Sequence, residues 1–122
     1  MPSFSLTGVV LDAPDAQHLG RFYHRLTGWP VITDEPGWFK IAPEGTRDGI
    51  SFQTEPVFVP PVWPSSPEHQ QMQIHLDLWV DDLPAACAHA EAVGAVPAAY
   101  QPQDDVRVYL DPVGHVFCLF EN

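Results

Sequence analysis

Basic side chains are scarce in this sequence: five Lys and Arg stand against sixteen Asp and Glu, for a formal net charge of −11. Such a field repels a phosphate backbone, so nucleic acid is not an expected partner. The carboxylates are scattered rather than blocked, and their first reading is a means of solubility. Cysteine is scarcer still. Cys87 and Cys118 are the only two, and their spacing matches neither a zinc motif nor a secreted disulfide framework, which fits a reducing compartment. No apolar run is long enough to cross a bilayer, and the first residues do not form a basic leader closed by small residues. A soluble cytoplasmic protein without a membrane partner is therefore expected.

What the chain does contain is a repeat. The run Ile74-His75-Leu76-Asp77-Leu78-Trp79-Val80-Asp81-Asp82-Leu83 can be laid over Gly8-Val9-Val10-Leu11-Asp12-Ala13-Pro14-Asp15-Ala16. Each copy alternates apolar residues as a strand does, reaches an Asp-rich corner and passes into an amphipathic helix that ends near a glycine, Gly28 or Gly94. At 122 residues the chain is long enough for one core, and either half alone would be marginal. The expectation is a single domain over 1–122, with module one at about 4–55, a connector at about 56–71 and module two at about 72–122.

In module one, Asp15 caps a helix whose apolar stripe is Leu19, Phe22, Tyr23 and Leu26. Short strands follow at Val31-Ile32, at Trp38 to Ile41 and at Ile50 to Gln53, separated by Glu35-Pro36-Gly37 and Glu44-Gly45, which carry turn chemistry. Module two repeats the plan: a strand from His75 to Val80, a helix from Asp82 to Val93 with Pro84 in its tolerant first turn, then strands near Val96, at Val106 to Leu110 and at Val116 to Phe120. Each module reads as βαβββ. The fold class is α+β: two tandem modules forming a curved, barrel-like mixed sheet with helices on its convex side and a concave cleft.

The connector holds five prolines and Trp63 in polar surroundings, so it is read as extended rather than as a strand. Its length fits a loop packed over a site. It equally fits a tether whose Trp63 plugs a surface groove.

The two modules, the segments Leu11-Asp12-Ala13-Pro14-Asp15 and Phe22-Tyr23-His24-Arg25-Leu26-Thr27-Gly28-Trp29, and the closing Asp111-Pro112-Val113-Gly114-His115-Val116-Phe117-Cys118-Leu119 together resemble the glyoxalase/bleomycin-resistance/dioxygenase superfamily, also called vicinal oxygen chelate proteins. The resemblance spans essentially the whole chain. It speaks strongly for a fold and weakly for a reaction. In metal-using members, one ligand comes from the first and one from the last strand of each module; carried over, these positions are Gly8, Ser51, His75 and Cys118. Only His75 is a usual ligand in that setting. Gly8 has no side chain, Ser51 is a poor donor, and Cys118 stands where a glutamate would close a hard octahedral site. No metal is expected on this count. A divalent ion, if bound, would be held by a rearranged set of His75, Asp77 and Gln53, although the simpler role for Asp77 and Gln53 is to hydrogen-bond His75 and order the pocket floor.

Cys118 beside His75 raises a nucleophile pair, but no cationic cluster surrounds the thiol and a small buried filler is the plainer reading. A Cys87–Cys118 disulfide is disfavoured, because the helix and Cys118 should lie on opposite sides of the sheet. By strand parity Trp79 and Phe120 share a face with His75 and Cys118. Trp38, Tyr109 and Trp63 join them as candidate walls of an aromatic pocket, the plainer alternative being rings that only fill space. His18, His24 and His89 fall on helices, and His115 follows the Asp111-Pro112-Val113-Gly114 turn as a brace.

The resemblance then implies a binding protein, expected as a homodimer, that holds a small organic molecule against Trp79, Phe120 and Tyr109 with His75, Asp77 and Gln53 orienting it. A metal-assisted lyase, isomerase or dioxygenase built on His75 is the second expectation. Acid-base catalysis by His75 and Asp77 without metal is the third.

Overall fold

Two aspartates start the two helices. In the computed structural model, which describes residues 1–122, Asp15 sits in extended backbone and its Oδ1 accepts from the amides of Gln17 at 3.0 Å and His18 at 3.2 Å. Asp82 does the same for Ala85 at 3.0 Å. Each side chain thus satisfies helix amides that have no partner within the helix. The chain divides into two compact units, Met1–Phe58 and Val59–Asn122, with the boundary inside the proline-rich connector.

The first unit contains β1 (Gly8–Ala13), α1 (Ala16–Thr27), β2 (Val31–Glu35), β3 (Trp38–Ile41) and β4 (Gly49–Thr54). The second contains β5 (Leu76–Trp79), α2 (Leu83–Ala92), β6 (Val96–Pro97), β7 (Val106–Leu110) and β8 (Val116–Phe120). Each unit forms one four-stranded sheet, in the orders β1-β4-β3-β2 and β5-β8-β7-β6. The outer pair β1/β4 or β5/β8 is parallel and the rest antiparallel. The expected βαβββ plan is therefore present twice in an α+β chain. One constant offset carries Gly8 onto His75, Asp15 onto Asp82 and Ser51 onto Cys118. No helix is long and apolar enough to cross a membrane.

In the first unit the α1 stripe buries Leu19, Phe22 and Tyr23 completely. Tyr23 stacks on Phe52 with centroids 5.4 Å apart and meets Phe22 edge-on at 4.9 Å. Gly20 lets the helix settle this closely: a Cβ there would lie 2.1 Å from Cδ1 of Phe39, a ring that is itself buried. Gly28 then stops α1 at φ 73, with its N–H donating to the His24 carbonyl at 2.8 Å.

The second sheet is buried on both sides of its centre, since Val116, Phe117, Cys118 and Leu119 are consecutive buried residues. Phe117 and Tyr109 stack at 5.7 Å on one face. On the other, Ala98, Val108, Val116 and Cys118 form a cluster against which Trp63 and Met72 pack. The connector is ordered by its own bonds: Val62 N–H donates to the Gln70 carbonyl at 2.8 Å, and the Ser66 hydroxyl donates to Glu68 at 2.7 Å, holding that carboxyl below its ordinary pKa. Trp63 lies 5.9 Å from Tyr100, centroid to centroid. The tryptophan thus packs on the second sheet, against the cluster that contains Cys118.

Candidate functional site

Alternation along β5 and the residue before it decides which groups can meet. His75, Asp77 and Trp79 are exposed, while Leu76 and Leu78 turn to the other face. Register extends the row across the sheet, because Asp77 stands opposite Cys118, which stands opposite Val108, while Trp79 pairs with Phe120 and Phe120 with Val106. His75 Nε2 lies 3.2 Å from Asp77 Oδ1. The donor atoms of His75, Asp77 and Cys118 all lie within 4.8 Å of one another.

These three residues border a hollow of about 290 Å³ whose wall is completed by Gln103, Val106, Phe120 and Asn122. Val106 is legible as the register partner of Phe120, and Asn122 continues the Phe120 parity beyond β8. Gln103 lies in a loop with no periodic signal, and sequence reasoning had no means of finding it.

Burial first, and then the Asp77 carboxylate through its charge and a hydrogen bond, push the Cys118 thiol up to about 11. A carboxylate beside a thiol opposes ionisation, so the pair with His75 does not form an activated nucleophile. In metal-free protein the thiolate fraction of Cys118 at pH 8 should be about a hundredfold below that of an ordinary thiol. Iodoacetamide should accordingly label this position slowly at pH 8, faster as pH approaches 11, and faster at pH 8 after Asp77→Asn. A flat pH profile, or no acceleration in the variant, would contradict the assigned cause. Because the folded pKa is raised, the stabilisation is complete below the ordinary thiol pKa and is lost as pH climbs through about 11.

Tyr109 requires a correction. Pairing with Phe117 puts it on the helix side of the second sheet, where its hydroxyl donates to Glu91 Oε2 at 2.7 Å. Burial foremost, then bonding to Cys87 and Glu91, raises its pKa. It borders a different hollow of about 340 Å³, together with Cys87, Glu91 and Arg107. Tyr109 alternates with Val108, which faces Cys118, so its parity is opposite to that of the pocket. Trp63 also stays out of the hollow wall, packing beside it on the cluster that contains Cys118. Trp79 shares the face at 61% exposure.

Trp38 and Gln53 are cross-strand partners in the first sheet, with Gln53 exposed. The donor that accompanies His75 and Asp77 within the second unit is Cys118, where the sequence suggested Gln53. Both cysteines are free thiols.

The resemblance placed two further ligand positions in the first unit. At Gly8 (φ +155) an added Cβ would fall 2.3 Å from the Gly49 carbonyl oxygen, so the close approach of two backbones excludes a donor side chain there. Ser51 is buried and offers a hydroxyl. Those positions do not fit a hard octahedral ion. The nitrogen, oxygen and sulfur donors of the second unit form a set of a different kind.

Two βαβββ units, each with a parallel outer strand pair and a helix capped by aspartate, define the fold as glyoxalase-like. The chain belongs to the glyoxalase-like domain family, whose model matches residues 8–120, within the vicinal oxygen chelate superfamily. Among similar solved structures, a glyoxalase/bleomycin resistance protein/dioxygenase family enzyme from Burkholderia phytofirmans PsJN is 19% identical, with 97% of this chain and 98% of that one covered and a TM-score of 0.71. A bleomycin-binding protein complexed with bleomycin is 20% identical, with 98% and 99% covered and a TM-score of 0.63. TnmS3, an antibiotic binding protein from Streptomyces sp. CB03234, is 22% identical, with 99% and 98% covered and a TM-score of 0.58. At these identities the likeness is one of fold. No curated protein is similar in sequence.

Proposed function

We propose that the protein binds a small organic molecule in the hollow at the β5 side of its second sheet, with Phe120 and Val106 as the apolar wall and His75 and Asp77 as the polar contacts. The observation that carries this reading is the hollow itself, in which the polar groups of His75 and Asp77 converge beside the Phe120 ring. Fold relatives support it, one holding bleomycin and one an antibiotic binding protein. Holding the ligand does not depend on a metal, and the same reading takes the protein as a cytoplasmic homodimer.

The test has two arms. Native mass spectrometry of gently purified protein looks for a retained compound, and calorimetric titration with bleomycin and a panel of aromatic antibiotics measures binding directly. A compound that binds should lose about tenfold in affinity, roughly 1.4 kcal/mol, on Phe120→Ala, with the circular dichroism of the fold unchanged. Equal binding by Phe120→Ala and His75→Ala, or no compound found in either arm, would reject the pocket.

A second reading, a metal-dependent lyase, isomerase or dioxygenase acting on a small oxygenated metabolite, is favoured by the three convergent donors. A metal bound there would polarise neighbouring substrate oxygens.

A further inference from the structure

We propose that His75 Nε2, a carboxylate oxygen of Asp77 and the sulfur of Cys118 form a zinc-type site contained wholly in the second unit, with a fourth coordination position that opens into the adjoining hollow. The inference rests on the metal-dependent reading above and shares His75 and Asp77 with the organic-ligand one. It begins with strand geometry: residues two apart on a strand share a face, and the directly paired residue of the neighbouring strand meets them there. His75 and Asp77 are the first kind of neighbour, and Cys118, in register with Asp77, is the second. Their donor atoms already fall within 4.8 Å of one another, with His75 and Asp77 at 3.2 Å. Zinc bonds of about 2.0 to 2.3 Å to nitrogen, oxygen and sulfur put the donor atoms of a tetrahedron about 3.3 to 3.5 Å apart, a spacing that small side-chain rotations supply.

Donor chemistry chooses the ion. One sulfur and one imidazole nitrogen disfavour magnesium, calcium and manganese, which prefer oxygen, and suit zinc or its tetrahedral substitute cobalt. As the metal–sulfur bond forms, the thiol proton passes to solvent and the anionic sulfur becomes the ligand. Three protein donors beside an open cavity make the arrangement of an exchangeable zinc site, in contrast to a closed four-ligand structural one. The site owes nothing to the positions of Gly8 and Ser51. The first unit carries Val10 where the second carries Asp77, and so lacks this donor at the equivalent place.

The test uses the full chain after chelator treatment, in a Cys87→Ser background so that one thiol remains. Added cobalt(II) should give a near-ultraviolet sulfur-to-cobalt absorption and the strong visible bands of a tetrahedral ion. Equimolar zinc should erase them, and a large excess of magnesium should not. Cys118→Ser should abolish the near-ultraviolet band, and His75→Ala and Asp77→Asn should each weaken zinc at least tenfold in competition with a chromophoric chelator. His75 and Asp77 have exposed side chains, so these two variants keep the test valid should Cys118→Ser fold poorly. A weak octahedral cobalt spectrum without the sulfur band, or zinc affinity unchanged in His75→Ala and Asp77→Asn, would overturn the proposal. Loss of zinc binding in Cys118→Ser with bleomycin or antibiotic binding retained would leave the organic-ligand reading standing without the metal site, and loss of compound binding in Phe120→Ala with zinc affinity unchanged would leave the metal site standing.

Discussion

Phe52→Ala is expected to cost about 3 to 5 kcal/mol and to leave the first unit largely unfolded at room temperature. Phe52 is fully buried on β4, stacked on Tyr23 at 5.4 Å and met by Phe39 at 6.2 Å. Truncation removes the ring that joins the α1 stripe to the sheet, and the surrounding buried rings cannot close the space without leaving their rotamers. A unit of roughly sixty residues has little stability in reserve, so a loss of this size consumes most of it. Urea unfolding followed by circular dichroism measures the change, and Phe52→Leu, which keeps most of the volume, should lose far less. A shift below about 1 kcal/mol for the alanine variant would mean that this aromatic group is not the core of the unit.

The second large effect is expected at Asp111, buried at the corner between β7 and β8. Its Oδ1 accepts from the amides of Val113 and His115, each at 3.0 Å, while Oδ2 lies 2.8 Å from His115 Nδ1. The turn is also closed by Asp111 N–H donating to the His115 carbonyl at 2.9 Å. Asp111→Ala strips a buried corner of its acceptor and leaves the two amides and the imidazole to find others, at a cost of about 3 kcal/mol or more. Asp111→Asn keeps one carbonyl oxygen for the two amides and should cost about half as much. Denaturant unfolding of the pair decides the matter, and equal values for Ala and Asn would show that the corner does not depend on this carboxylate.

Much of this architecture was legible because it follows local rules. The 3.6-residue stripe of α1, the capping aspartates and the proline and glycine turns act within a few residues of themselves, and all appear where the sequence placed them. Parity along one strand likewise put His75, Asp77 and Trp79 on one face, and His115 is the brace that its turn suggested. Less legible was what depends on matching one strand to another. Assigning Tyr109 to the pocket ignored its alternation with Val108, and the register opposite β8 sends it to the helix. Gln53 stands in the first unit, and within the second unit the residue opposite Asp77 on the next strand is Cys118. Cys118 is buried in an apolar cluster as its type suggested, and the carboxylate standing opposite it is what strand register adds. Gly8 looked like a lost ligand. Its own reason, a backbone approach to Gly49, involves a residue far away in the chain and has no local signature.

The parallel pairing of β1 with β4, and of β5 with β8, bears on how the site comes into being. Hairpin partners such as β7 and β8 meet across short turns, whereas Gly8 reaches Gly49, and Leu76 reaches Phe117, across most of the length of their units. Chain closure over that distance is entropically costly, and the pairing returns nothing until the intervening helix and strands are in place. His75 precedes the strand that needs this closure, and Cys118 waits on its partner. The imidazole, carboxylate and thiol therefore come together only in a finished unit, and a nascent or partly melted second half presents none of the chemistry of the complete one.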